Sequence, residues 1–157
     1  LMTALFFAAI GMLYERTHTR KVAELGGLLK VMPFISSVFV IAGLCSLGLP
    51  GFSGFVAEMT VFMGGWEKAE SFYSIATIVA CASIVVTAVY ILRATGSSIM
   101  GAVKNEHHLA LSDAKWYERS AAVLLLAGII AMGIAPYWLV DLIDPGTDII
   151  IQKLAGK

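Results

Sequence analysis

The sequence has little charge for its length. It contains 11 basic and 11 acidic residues among 157, so 14% of its residues are charged, against about 25% in an ordinary soluble domain. The formal net charge is zero, which argues against electrostatic binding of nucleic acid. By contrast, 59% of the residues are hydrophobic and the mean hydropathy is +0.84. This composition predicts a polytopic membrane protein.

The sequence also lacks the residue patterns of most catalytic and cofactor sites. Its two cysteines, Cys45 and Cys81, each lie inside an apolar run, so both are interpreted as small buried hydrophobes rather than as a disulfide or a metal pair. There is no Cys-x-x-Cys, no cluster of histidine and cysteine, no glycine-rich phosphate loop and no Ser/His/Asp pattern. We therefore expect no metal ligand and no cofactor-binding residue in this chain.

Five apolar stretches alternate with polar connections. Each is uniformly apolar rather than alternating in polarity, so the predicted fold class is an all-α polytopic membrane protein and not a β-barrel. The first stretch has 13 residues, short of the ~20 that cross a bilayer. We therefore expect a single transmembrane helical region that is the C-terminal piece of a longer chain. The stretches cover residues 1–13, 34–48, 51–66, 72–92 and 120–140, and the polar loops cover 14–30 and 96–118.

A proline and two glycines interrupt the apolar sequence between the second and third stretches. Pro50 removes a backbone donor, and Gly51 and Gly54 permit backbone angles that other residues avoid. Leu49 and Pro50 alone are too few residues for a solvated loop, so the pattern predicts a tight hairpin or an interrupted helix. A second turn signal, Asp144-Pro145-Gly146, occurs near the end of the chain.

Glu58 is the only charged residue between Lys30 and Glu67. A carboxylate deep in hydrocarbon costs about 3 kcal/mol on insertion scales, so its side chain is expected to face protein, water or a partner charge. Beside a helix break, such an acid predicts a proton or cation site. The alternative is an acid near the membrane face that reaches water past Glu67 and Lys68.

Four further polar residues are candidates for lining a hydrated path beside that acid. Ser53 follows the break, and Ser83, Thr87 and Tyr90 share one face of the fourth stretch at helical spacing. Packing between helices explains each of them equally well, because buried hydroxyls commonly bond across transmembrane helices.

The three histidines and the basic residues leave two questions open. His18, His107 and His108 lie in polar loops, where a solvated or structural histidine is the ordinary case, and they receive no functional role. Basic residues occur in both main loops, so the sequence does not establish which side of the membrane each loop faces.

Two motifs resemble a known family. One is the loop Glu15-Arg-Thr-His-Thr-Arg-Lys-Val-Ala-Glu-Leu-Gly-Gly-Leu28, followed by Pro33, and the other is Ser46-Leu-Gly-Leu-Pro-Gly-Phe-Ser-Gly-Phe-Val-Ala-Glu58. In this order and at this separation they resemble the subunit M type of antiporter-like membrane subunit of respiratory complex I (NADH-quinone oxidoreductase). Either motif alone would indicate only the wider family, which includes the large subunits of multi-subunit cation/proton antiporters and membrane-bound hydrogenases.

The resemblance implies a helix bundle built from inverted repeats, each with one interrupted helix, here near Pro50, and it implies that this chain is the C-terminal third of the subunit. It implies a proton-translocating subunit of the membrane arm, in which Glu58 takes the place of a lysine found in sister subunits. The chain would couple quinone reduction to proton pumping as part of an enzyme, without a redox centre of its own. NADH, FMN, iron–sulfur clusters and quinone would be bound by other subunits. Expected partners are the sister and small membrane-arm subunits and the rest of its own subunit, in the bacterial inner membrane or an equivalent energy-transducing membrane.

Two alternatives remain. The chain could belong to the large subunit of a Na⁺/H⁺ antiporter or of a membrane-bound hydrogenase, with the same acid and different partners. It could also be a non-transporting structural fragment that serves only packing. The sequence does not distinguish H⁺ from Na⁺ as the transported ion.

Overall fold

The computed structural model describes residues 1–67, 71–104 and 106–155, and this part of the chain is helical without a β-strand. Lys68 and the side chain of His107 lie outside the described part. The all-α fold class is confirmed. The helices are α1 (Met2–Thr17), α2 (Leu28–Val31), α3 (Pro33–Ser46), α4 (Ser53–Trp66), α5 (Ser71–Ile99), α6 (Trp116–Ile134) and α7 (Tyr137–Ala155), with a 3₁₀ turn at Glu106–Ala110 between α5 and α6.

The core forms where α1, α3 and α6 pack together. Small side chains let these helices approach closely, and Ala9, Ala42 and Ala122 are almost completely buried. Larger side chains fill the remaining space, with Phe6 stacked on Phe39 at 5.2 Å between ring centroids. The α5 helix differs, because its buried residues lie only in its last turns. By length and composition, α5 and α6 could each cross a membrane.

The loops at residues 18–32 and 100–115 lie together, and we call them the polar end. The amide of Gly27 donates to the carbonyl of Met100 at 3.1 Å, and Lys104 Nζ donates to the carbonyl of Ala23 at 3.1 Å. Gly27 has a φ of +66°, and a Cβ there would lie 2.5 Å from the amide nitrogen of Val103. The two loops therefore meet at a point where no side chain fits.

The position of the polar end shows that α3 and α4 together cross the helix bundle once, from the polar end to the opposite end. The α3 helix begins at this end, and α5, at 29 residues, extends about 43 Å away from it. The last turn of α4 lies beside the start of α5, since a Cβ on Gly65 would meet the Thr77 hydroxyl. The pair is thus an interrupted helix near Pro50, as the fold class predicted, and not a hairpin.

Three local predictions differ from the structure. The α5 helix continues to Ile99 rather than ending near residue 92. The stretch predicted at 120–140 is divided into α6 and α7, because the helix ends before Pro136, where the backbone donor is missing. The predicted turn at Asp144-Pro145-Gly146 is wrong. The α7 helix runs through Pro145, whose fixed φ is compatible with a helix although one backbone hydrogen bond is lost.

Candidate functional site

The residues of the interruption between α3 and α4 adopt distinct backbone conformations. Gly48, at a φ of +62°, ends α3. The amide of Phe52 then donates to the carbonyl of Leu49 at 3.2 Å, which closes a tight turn around Pro50 and Gly51. Gly51 has a φ of +97°, so proline followed by a left-handed glycine gives the residue order of a type II turn.

Close backbone contacts hold the interruption in place. A Cβ on Gly54 would lie 3.0 Å from the carbonyl oxygen of Cys45, so the start of α4 rests directly on the end of α3. On the other side, a Cβ on Gly133 of α6 would lie 2.6 Å from the carbonyl carbons of Gly51 and Phe52. The turn therefore packs against α3 and α6 through two glycine contacts, although the turn itself stays exposed.

The Glu58 side chain folds back from α4 onto this interruption. A Cβ on Gly48 would lie 2.7 Å from Glu58 Cδ and 2.9 Å from Oε1, and it would be closer still to Oε2. The residue is half-buried. Within the described part of the chain, no hydrogen bond or ion pair involves its carboxylate. The acid thus lies against the end of α3 without a polar side-chain partner among the described residues.

The ends of the two half-helices give this position its electrostatic character. The C-terminal end of a helix carries a partial negative charge from unpaired carbonyls, and the N-terminal end carries a partial positive charge. Glu58 contacts Gly48, two residues after the end of α3, so its carboxylate approaches the carbonyl end of that helix.

The predicted lining residues are not joined to Glu58 by hydrogen bonds among the described residues. Ser83 Oγ donates to the carbonyl of Ala80 at 2.7 Å, and Thr87 Oγ1 donates to that of Ser83 at 3.2 Å. Tyr90 is 59% exposed, and Ser53 is half-buried at the first position of α4. The Ser83 and Thr87 hydroxyls thus make their hydrogen bonds within their own helix.

A cavity of about 290 Å³ lies between α1, α3 and α5. Its polar lining comes from Ser46, Tyr90 and Thr95, of which only Tyr90 was predicted from sequence. Thr95 is buried, and a Cβ on Gly43 would lie 3.3 Å from its hydroxyl oxygen. Sequence analysis missed Thr95 because it lies beyond the predicted end of the fourth stretch. Gly48 was missed as a site residue, although it belongs to the same glycine-rich run.

The two described histidine side chains lie at the polar end and not beside Glu58. His18 ends α1 in the left-handed conformation with a φ of +51°. His108 is buried, and its Nδ1 has no hydrogen-bond partner among the described residues. Nearby, the Thr19 hydroxyl and the Lys21 ammonium lower the pKa of the Glu24 carboxyl. In the described ranges no three His, Cys, Asp or Glu side chains are grouped as a metal site.

Comparison with known proteins places these features in a family. The family model described as NADH:quinone oxidoreductase/Mrp antiporter, TM, matches residues 1–87. NAD(P)H-quinone oxidoreductase chain 4 1 of Synechococcus elongatus is 36% identical over 156 residues, which is 98% of this chain and 29% of that protein. NADH-quinone oxidoreductase subunit M of Rickettsia felis is 31% identical over 152 residues, 97% of this chain and 30% of that protein. The chain therefore spans about three-tenths of the length of these curated relatives.

A solved structure supports the same fold. The chain is similar to a chain in the Mrp complex from Dietzia, with a TM-score of 0.74 at 19% identity, over 90% of this chain and 34% of that one. At this identity the likeness shows the fold alone. The family match extends through α1, α3, α4 and half of α5, and so includes the interruption and Glu58. The chain belongs to the family of NADH:quinone oxidoreductase and Mrp antiporter transmembrane subunits.

Proposed function

We propose that this chain forms part of a proton-translocating membrane-arm subunit of an NADH-quinone oxidoreductase, with Glu58 as the proton-carrying acid. The observation that carries the proposal is the contact of Glu58 with Gly48 at the interruption of the α3–α4 crossing. The curated relatives are named as quinone oxidoreductase subunits, which supports this complex over the antiporter. A packing-only role gives no reason for an acid at this contact.

The geometry suggests how Glu58 could work. Its carboxyl group lies at the negative end of α3 and on the second turn of α4. Protonation removes the repulsion from the α3 carbonyls, whereas a nearby cation or incoming water favours release of the proton. Because the interruption separates the two half-helices, a change in the neighbouring subunit could alter this balance without unfolding either one. The chain would supply the proton site and no redox chemistry.

The energy and the redox groups would come from elsewhere in the complex. NADH, FMN, iron–sulfur clusters and quinone would bind to other subunits, and electrostatic and conformational coupling would reach Glu58 through the remainder of its own subunit. Membrane-arm sisters and small subunits are the proposed partners. The proposed location is the bacterial inner membrane or an equivalent energy-transducing membrane, since quinone reduction drives pumping only across a sealed bilayer.

The transported ion is expected to be H⁺ rather than Na⁺. A proton needs one oxygen atom, whereas sodium sites at broken helices gather several, backbone carbonyls among them, and no hydrogen bond among the described residues joins a second side chain to Glu58. Proton uptake driven by NADH oxidation, with quinone as the electron acceptor, should therefore continue in sodium-free buffer. The measurement uses vesicles that contain the assembled enzyme. A proton-sensitive dye and radioactive sodium measure the two ions in parallel. Uptake of sodium in proportion to electron transfer would show that the transported ion is Na⁺ and not H⁺.

The polar end is expected to face the cytoplasm. Cytoplasmic loops are rich in Lys and Arg, and the structure brings both main loops to the same end. Seven of the chain's 11 basic residues lie in these two loops or in the helix ends beside them, and they are Arg16, Arg20, Lys21, Lys30, Lys104, Lys115 and Arg119.

Labelling of introduced cysteines tests this orientation. In a background with Cys45 and Cys81 changed to Ala, Lys21→Cys should react with a membrane-impermeant maleimide in inside-out vesicles and not in right-side-out vesicles. Tyr137→Cys at the first residue of α7, which is exposed and lies close to the far end of α6, is the matched variant and should give the opposite pattern. If both patterns are reversed, the polar end faces outward.

A further inference from the structure

One carboxylate at the polar end bonds to the start of the interrupted crossing. Asp113 Oδ2 accepts a hydrogen bond from the Phe34 amide at 2.9 Å, and Oδ1 accepts one from the Ile35 amide at 3.2 Å. Oδ1 also accepts from the amide of Ala114 at 2.8 Å. Arg119 Nη2 lies 3.6 Å from Oδ2, and the Asp113 side chain is only 17% exposed. Three backbone donors and one guanidinium thus surround this acid.

The α3 helix needs such a partner because it has no cap of its own. The first amides of a helix have no acceptor within it, and Met32, the residue before α3, makes no side-chain capping hydrogen bond. Pro33 has no amide hydrogen, so Phe34 and Ile35 are the next amides that need an acceptor. A carboxylate also suits the positive end of a helix. Asp113 supplies these hydrogen bonds from 78 and 79 residues further along the chain.

A buried ion pair holds the segment that carries Asp113. Arg16 Nη2 lies 2.6 Å from Glu118 Oε2, and the two side chains are 7% and 8% exposed. The same guanidinium donates to the carbonyl of Ser112 at 2.9 Å and to that of Asp113 at 3.4 Å. The end of α1 and the start of α6 therefore fix the backbone on which Asp113 stands. We call Asp113, Arg16 and Glu118 the polar clamp.

We infer that Asp113 is a positioning residue for Glu58, an inference that rests on the proposed function. The clamp fixes one end of α3, and the other end of this 14-residue helix leads into Gly48, against which the Glu58 carboxylate lies. A helix of this length is a stiff rod of about 20 Å. With α3 held against α1 and α6, movement at the interruption is taken up by α4. Without Asp113, α3 can shift along its axis and carry Gly48 away from Glu58.

The test follows the reactivity of Glu58 in the assembled complex. A hydrophobic carbodiimide modifies protonated membrane carboxyls, and mass spectrometry of the peptide that contains Glu58 gives the rate across a range of pH. The same peptide in Glu58→Gln identifies the modified residue. Asp113→Ala should shift the pH dependence of the reaction, and change its rate at a fixed pH by about threefold or more, because the capping contacts are lost. Asp113→Asn keeps one oxygen acceptor and should give a smaller change in the same direction.

Glu118→Gln is the matched control. It weakens the same clamp but leaves the Asp113 side chain free to cap α3, so it should reduce the amount of assembled complex without moving the reactivity of Glu58. An unchanged Glu58 reaction in Asp113→Ala would show that the cap on α3 serves stability alone. An equal change in both variants would show that general loosening of the polar end, and not the loss of the cap, moves Glu58. If Asp113→Ala does not assemble, Asp113→Asn decides between these outcomes by the same comparison. Because reactivity is measured without transport, this result is separate from whether Glu58 carries protons.

Discussion

Glu58→Gln is expected to abolish proton uptake while leaving the complex assembled. Glutamine keeps the size and hydrogen-bonding capacity of the protonated acid, so the half-buried position against Gly48 remains filled. It cannot release a proton at any accessible pH, however, so the site is permanently in the occupied state. Uptake per assembled complex should fall by about tenfold or more, as expected when an essential proton-transfer group is removed. Because the steps are coupled, NADH-driven quinone reduction should slow as well.

Proton uptake into vesicles, measured with NADH oxidation in the same preparation, checks this prediction. Glu67→Gln is the matched control, since Glu67 is an exposed acid directly after α4 and the substitution is chemically identical. It should pump at the wild-type rate. Glu58→Ala should behave as Glu58→Gln does, with some additional loss of packing. Wild-type uptake and turnover in Glu58→Gln would remove this acid from the proton path.

The interrupted crossing could be predicted from the sequence because its causes are local. Pro50 lacks a backbone donor, and Gly51 adopts the positive φ that the following turn position requires. The isolation of Glu58 was also visible, since charge is scarce throughout this part of the chain. Both features depend on residues close together in sequence, and the chemistry of each residue limits what the backbone can do.

The contacts that give these residues their surroundings could not be predicted in the same way. The approach of Glu58 to Gly48 depends on how α4 leaves the turn, and that direction is set by packing against Gly133 of α6, far along the chain. The cap on α3 comes from Asp113. Sequence analysis placed this residue in the polar loop 96–118 and gave it no role. Pairings between distant residues leave no periodic pattern in a single sequence.

The end of α5 and the course of α7 were missed for a different reason. Segment limits were drawn where apolar residues give way to polar ones, but a helix continues past that point when its last turns pack against other parts of the protein. The segment after Leu92 is helical to Ile99, where Thr95, Ser98 and Ile99 are buried, and the Ser97 hydroxyl donates to the carbonyl of Arg93 at 2.8 Å. Pro145 in α7 shows that proline weakens a helix without always ending it.

Gly48→Ala is expected to displace Glu58 and stop proton uptake, and Gly51→Ala separates this effect from backbone strain. Both glycines have positive φ, +62° and +97°, so an alanine at either position is strained by roughly 1–3 kcal/mol. Only at Gly48 would the new Cβ overlap the Glu58 carboxylate, because a Cβ on Gly51 meets no atom within 4 Å. Gly51→Ala should therefore reduce the amount of assembled complex but leave uptake per complex near the wild-type value.

Gly48→Ala should reduce both the amount of assembled complex and the proton uptake per complex. The double variant Gly48→Ala/Glu58→Ala separates the causes. Shortening the acid removes the overlap while the strained φ remains, so assembly should recover toward the level of Gly51→Ala, whereas pumping should not recover because the acid is gone. Quantification of the complex on native gels and uptake in vesicles give the two readouts for all four proteins, wild type included. If Gly48→Ala and Gly51→Ala lower uptake per assembled complex equally, the turn acts through its backbone alone, and the contact between Gly48 and the carboxylate has no part in proton transfer.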